Sequence, residues 1–229
     1  MSPIAANLQA VRRRISEALQ GDRREVRIVA VSKTRSSETI REAFDAGCRD
    51  FGENYAQEAL PKVADLEGLG ACWHFIGPLQ SNKAKDIARA FDWCHSIDRL
   101  KIAETLSRHR PHGQAPLEVC IQVNISREAT KSGVEASEAL TLAAAVAKLP
   151  GLRLRGLMGI ATPDVDPKQQ RTEFAVLRGL LETLRSEGHE VDTLSMGMTQ
   201  DLEAAIAEGA TMVRIGTALF GERERKYSA

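Results

Sequence analysis

The sequence has no surplus of charge of either sign: 31 basic residues stand against 31 acidic ones in a chain of 229. A protein that lives on nucleic acid ordinarily shows a basic excess or stripe. Here the basic clusters are short: Arg12-Arg13-Arg14, Arg23-Arg24, and Arg223 to Lys226 interrupted by Glu224. They read as solvated faces, and no nucleic-acid partner is expected. Long apolar runs are also missing. Nothing approaches the ~20 residues of a membrane span, and no apolar core of a secretory signal precedes a cleavage site. A cytoplasmic location is expected. The four cysteines, Cys48, Cys72, Cys94 and Cys120, include no close CxxC pair, which removes the common zinc and redox motifs. Each falls in or beside a predicted strand as a small buried apolar group. Cys72-Trp73-His74 and Cys94-His95 carry ligand chemistry, but neighbouring strand residues point to opposite faces. No metal is expected.

What the sequence does have is rhythm. Ile4, Leu8, Val11, Ile15 and Leu19 recur at helical spacing, predicting an amphipathic helix over 3–20 that packs on the rest of the chain. Eight short apolar runs follow, at 26–32, 48–52, 72–76, 92–97, 117–125, 152–158, 191–195 and 211–215. Their starts lie 20 to 39 residues apart, near the ~30 residues of a βαβ unit. Helical stretches fill the gaps, among them 36–46, 136–149, 168–187 and 201–207. The first opens on a serine cap and stops at Gly47. Eight alternations predict a single α/β domain over 1–229, a (β/α)8 TIM-type barrel with an N-terminal helix. An open doubly wound sheet is the competing topology.

In a barrel, functional groups sit on the loops after the C-terminal ends of the strands. Strands seven and eight end at Ser195-Met196-Gly197-Met198-Thr199 and Arg214-Ile215-Gly216-Thr217. Barrel phosphate sites commonly form there, and both loops carry a glycine and hydroxyls suited to an anion. Lys33 directly follows the apolar strand Val29-Ala30-Val31-Ser32. A lysine held out of water there becomes a usable amine nucleophile toward carbonyls. A lysine and a phosphate cradle at one mouth suit a ligand with both an aldehyde and a phosphate. Pyridoxal 5′-phosphate is one such ligand, and a phosphorylated sugar on an aldolase is the other. Arg214 is long enough to reach a pyridine nitrogen on the far side of a cofactor ring from its phosphate.

Several longer stretches resemble the pyridoxal phosphate homeostasis proteins, the YggS/PROSC group. They are Ala30-Val31-Ser32-Lys33-Thr34, Phe51-Gly52-Glu53-Asn54-Tyr55, and Trp73-His74-Phe75-Ile76-Gly77-Pro78-Leu79-Gln80-Ser81-Asn82-Lys83. Gln122-Val123-Asn124-Ile125, Lys131-Ser132-Gly133, Gly156-Leu157-Met158 and the loops after strands seven and eight continue the match. The resemblance implies a barrel like the N-terminal domain of alanine racemase, with pyridoxal 5′-phosphate as a Schiff base on Lys33. It implies phosphate contacts from Ser195, Gly216 and Thr217, with Met196 and Gly197 close by, Arg214 facing the pyridine nitrogen, and Asn54 lining the pocket. Arg35-Ser36 stands where a Lys-Pro pair is common in the family, outside the expected pocket wall.

The function so implied is vitamin B6 homeostasis, buffering or delivering the cofactor as a monomer, with apo-enzymes as recipients. A small racemase is the alternative. Racemization needs a base on each face of the substrate Cα, and Tyr55 and Tyr227 are the only tyrosines. No catalytic residue is therefore assigned.

Overall fold

The computed structural model describes residues 2–126, 128 and 131–222; the basic run at 223–226 and Tyr227 lie outside them. Eight strands among the described residues close a parallel barrel in chain order. They are β1 (Arg27–Val31), β2 (Asp50–Glu53), β3 (Cys72–Phe75), β4 (Trp93–Ile97), β5 (Leu117–Val123), β6 (Leu152–Gly159), β7 (Thr193–Ser195) and β8 (Met212–Ile215). β8 pairs with β1, setting Arg214 opposite Val29. The (β/α)8 barrel is thus correct and the open sheet is not. Closure leaves no exposed edge for another chain to extend.

Helices wrap the outside: α1 (Pro3–Leu19), α2 (Ser37–Asp45), α3 (Ala56–Asp65), α4 (Ala84–Ala90), α5 (Leu100–His109), α6 (Ala136–Val146), α7 (Pro167–Ser186), α8 (Leu202–Ala207) and α9 (Thr217–Phe220). None is long and apolar enough to cross a membrane. The predicted serine cap forms, with Ser36 Oγ accepting the Thr39 N–H at 3.3 Å. Strands five and seven are each two residues shorter than the sequence predicts. Strand five was expected to reach Ile125, but the Asn124 N–H turns to the Val134 carbonyl, where the following loop returns. Strand seven was expected from Val191, whose N–H is spent in a tight turn to His189.

α1 buries Ile4, Leu8, Val11 and Ile15 and does more than cover apolar surface. Asn7 Nδ2 donates to the Leu219 carbonyl in α9. Arg14 donates to the Thr199 carbonyl and pairs with Glu203 of α8. The N-terminal helix therefore braces the two loops that follow β7 and β8.

Inside the barrel, alternation splits the chemistry. Val29, Trp93, Cys120, Met158 and Met212 form a small apolar cluster, separate from the larger core between strands and helices. Beside it lie buried Asp50, His74, His95, Ser195 and Arg214. Barrel interiors are usually dominated by bulky branched residues. This one carries a polar column instead.

Because α1 braces the β7 and β8 loops, Leu8→Ala tests that role. Truncating a buried leucine costs about 2–5 kcal/mol, which for a chain of this size lowers Tm by about 5–15 °C. A thermal melt with a shift under about 2 °C would show α1 to be an ornament on the barrel.

Candidate functional site

At the C-terminal ends of the strands lies a cavity of about 450 Å³, a size typical of small-molecule sites. Its wall includes Lys33, Asn54, Arg214, Gly216 and Thr217. Five of the eight residues singled out in the sequence therefore meet in one space. A larger hollow, about 760 Å³, lies at the opposite end beside Arg153, Arg155 and Asp192. Its two arginines are already matched: Arg155 pairs with Asp192 and Glu118, and Arg153 with Glu118. The smaller cavity is the one that the strand-end residues share.

Lys33 is half-buried at the end of β1. The next residue, Thr34, has φ +67°, a left-handed conformation unusual for a β-branched residue. Such strain costs about 1–3 kcal/mol and persists only when the surroundings impose it. Here the Arg35 N–H closes the turn onto the Ser32 carbonyl, and the Thr34 N–H donates to the Glu58 carboxylate. Glu58 is itself held by Lys62 Nζ at 2.6 Å. Lys62 is buried and also donates to Glu53 at 3.0 Å and to the Ser32 carbonyl at 2.9 Å. Glu53 accepts the Ser32 hydroxyl as well, while its Oε2 has no hydrogen-bond partner among the described residues. Burial pushes the Glu53 carboxyl up, opposed by Ser32 and Lys62. This network clamps the peptide on both sides of Lys33.

Asn54 follows β2, and its Oδ1 is buried without a hydrogen-bond partner among the described residues. A Cβ at Gly77 would lie 2.0 Å from the Asn54 carbonyl oxygen. The loop after β3 must therefore be glycine there to support Asn54. On the far wall, Arg214 Nη1 donates to the Ser195 carbonyl at 2.6 Å and to Ser195 Oγ at 2.9 Å. Its Nη2 donates to the Gly159 carbonyl at 3.0 Å. Burial lowers its pKa to about 10, so it stays cationic at neutral pH.

Ser195, Met196 and Gly197 do not line the cavity. The Ser195 hydroxyl is fully buried and contacts His95 Nδ1 at 2.8 Å as well as Arg214. Met196 is core. Gly197 has φ +91°, and a Cβ there would stand 2.6 Å from Ala205 Cβ. Turn geometry and the packing of α8 explain this glycine without any ligand. Arg35, placed outside the pocket wall by the sequence, lies on it. It donates to the Gly221 and Glu222 carbonyls and so ties β1 to the end of α9. Met198, Gln200 and Asp201 also line the cavity. They extend the β7 loop further than its glycine and hydroxyls indicated.

Strand alternation does not separate the candidate metal ligands. Cys72 and His74 are two apart, so they share a face, and Asp50 joins them. The set is already engaged. Arg27 bonds Asp50, and His74 Nε2 lies 2.9 Å from the Asp50 carboxylate, which can only accept. The nitrogen facing the cluster therefore carries a proton and has no lone pair for a cation. Burial also pushes the Cys72 thiol up to about 12.

The Glu53–Lys62 pair gives a pH-dependent expectation. Lys62→Met leaves Glu53 buried without its cation, a loss of about 3–5 kcal/mol at neutral pH. The folded-state pKa of Glu53 is then raised further above its unfolded value. The folded state binds the extra proton, so the penalty grows as pH rises. Denaturant melts should show wild type and variant closest near pH 4 and furthest apart near pH 7. A difference independent of pH would show that Glu53 is not the group left stranded.

The family model for the alanine racemase N-terminal domain matches residues 2–224. A pyridoxal phosphate homeostasis protein of Pseudomonas aeruginosa is 56% identical over 227 residues, covering 98% of this chain and 97% of that one. Its counterpart in Escherichia coli K12 is 50% identical over 230 residues, covering 98% of each. The solved structure of PipY from Synechococcus elongatus with PLP bound is 35% identical, with a TM-score of 0.83 over 95% of this chain and all of that one. The chain belongs to the alanine racemase N-terminal domain family, among its pyridoxal phosphate homeostasis proteins.

Proposed function

We propose that this chain binds pyridoxal 5′-phosphate covalently through Lys33 and serves vitamin B6 homeostasis by buffering or delivering it. The observation that carries the reading is one cavity lined by Lys33, Asn54, Arg214, Gly216 and Thr217. The residues fit the group. Asn54 Oδ1 is a buried acceptor waiting for a donor, and Lys33 is an amine at the mouth. Thr217 and the backbone beside Gly216 would hold the phosphate, Lys33 the aldehyde carbon, and Arg214 the pyridine nitrogen. When bound, the group supplies an electron-withdrawing ring. Arg214, a cation at neutral pH, disfavours a second positive charge at the ring nitrogen and so blunts that withdrawal. The network of Glu53, Lys62 and Glu58 keeps Lys33 at the cavity.

On this reading the barrel, residues 1–229 as one domain, is a cytoplasmic monomer that hands cofactor to apo-enzymes without catalytic turnover. A racemase would need a base on each face of a substrate Cα. Tyr55 is 59% exposed and does not line the cavity.

Borohydride treatment of protein loaded with pyridoxal 5′-phosphate should fix the ligand mass on the Lys33 peptide, and Lys33→Ala should abolish it. A reduced adduct mapping mainly to Lys83 or Lys131 would move the site. Thr217→Ala removes a hydrogen bond to a charged group, worth about 1.5–3 kcal/mol. It should weaken pyridoxal 5′-phosphate about ten-fold or more while hardly changing pyridoxal. Loaded protein should transfer cofactor to an apo-enzyme and show no Cα proton exchange with alanine, serine or glutamate in D₂O. Multiple-turnover deuterium incorporation dependent on Lys33 would restore the racemase.

A further inference from the structure

Five side chains form an unbroken column through the barrel. Arg214 Nη1 lies 2.9 Å from Ser195 Oγ, and Ser195 Oγ lies 2.8 Å from His95 Nδ1. His95 Nε2 is 2.9 Å from His74 Nδ1, and His74 Nε2 is 2.9 Å from Asp50 Oδ1. We infer that this column is a one-way hydrogen-bond relay in which Ser195 is a positioning residue acting through Arg214, not a donor to the ligand's phosphate.

The direction follows from the two ends. A guanidinium can only donate and a carboxylate can only accept. Asp50 therefore requires the proton of His74 on Nε2. In a neutral ring Nδ1 is then a lone pair, which requires the His95 proton on Nε2. His95 Nδ1 is in turn a lone pair and takes the Ser195 hydroxyl proton. Ser195 Oγ is left to accept from Arg214. Each of the four contacts along the column then has one donor and one acceptor.

The reverse arrangement fails on two counts. It needs a cationic imidazole, fully buried, in a barrel interior that already holds the buried Arg214. Burial depresses His74 against the upward pull of Asp50 and Asp92, with Arg27 adding to the depression, and it depresses His95 far below its ordinary range, with His74, Arg214 and Arg27 adding to the effect there. It also strands the Ser195 hydroxyl proton, which has no other acceptor among the described residues. With that proton spent on His95, the side chain has nothing to give a phosphate.

The direction of the relay stands on protein atoms alone; its consequence for ligand rests on the proposed function. Nitrogen NMR of the ¹⁵N-histidine-labelled full chain, without added ligand, tests the first. Of five histidines, the two in the column should carry their proton on Nε2 and not titrate between about pH 5 and 8, the span where an ordinary imidazole does. A proton on Nδ1 of either ring, or a titration in that window, overturns the relay. In Ser195→Ala, His95 Nδ1 loses its donor, and its tautomers should mix. Ser195→Ala should also weaken pyridoxal 5′-phosphate and pyridoxal by a common factor of about ten. Loss confined to the phosphorylated ligand would make Ser195 a phosphate ligand and overturn the positioning role. If wild type bound neither ligand, the proposed function would fall, and the NMR result alone would decide the relay.

Discussion

A guanidinium buried at the rim of a barrel has to be satisfied by fixed acceptors, and Arg214 is satisfied entirely from neighbouring strands. Its partners are the Ser195 carbonyl and hydroxyl at the end of β7 and the Gly159 carbonyl at the end of β6. Moving or removing any of these would leave part of a buried cation unpaired, which is far costlier than a missing neutral hydrogen bond. The positions of three strand ends are thereby tied together at the cavity wall. The same arginine sets the polarity of the interior below it, because only an acceptor can stand next to it.

The opposite wall is organised by a second buried charge system of a different kind. Glu53 and Lys62 form a pair between β2 and α3, with Ser32 and Glu58 completing it. A buried ion pair of this sort contributes little net stability compared with apolar packing. What it provides is geometry: it fixes the end of β1, holds Thr34 in a left-handed turn and keeps Lys33 at the mouth. α1 performs the matching service for the β7 and β8 loops through Asn7 and Arg14. The cavity is thus framed by three sets of contacts, none of which needs a ligand to exist.

The barrel was legible because alternation of short apolar runs with helical stretches is a local signal repeated eight times. That Lys33, Asn54, Arg214, Gly216 and Thr217 would share one cavity was legible for a related reason: strand ends define where a barrel can hold a ligand. Ser195 shows the limit. A hydroxyl at a strand end looks like an anion donor until its neighbours across the barrel are known, and His95 is a hundred residues away. Gly197 looked like an anion loop and is explained by α8 packing. Arg35 looked peripheral because nothing local shows the chain returning at Gly221. Cys72 and His74 were misjudged by comparing neighbours instead of residues two apart. The surroundings of Ser195 and Arg35 are both set by partners distant in sequence.

On the proposed reading, the distribution of charge in the cavity bears on whether a bound phosphate is trapped or exchangeable. Arg35 is committed to the Gly221 and Glu222 carbonyls, and Arg214 to β6 and β7. Neither guanidinium is arranged as the bidentate clamp that makes arginine–phosphate pairs strong. Recognition of the phosphate then falls to Thr217 and to backbone groups around Gly216, which contribute direction more than depth. The strongest link would be the covalent one at Lys33, and water could reverse it at a half-buried lysine. A site built in this way holds its ligand by a reversible bond and a modest anion cradle, which is what buffering requires and what tight retention in a closed active site would not supply.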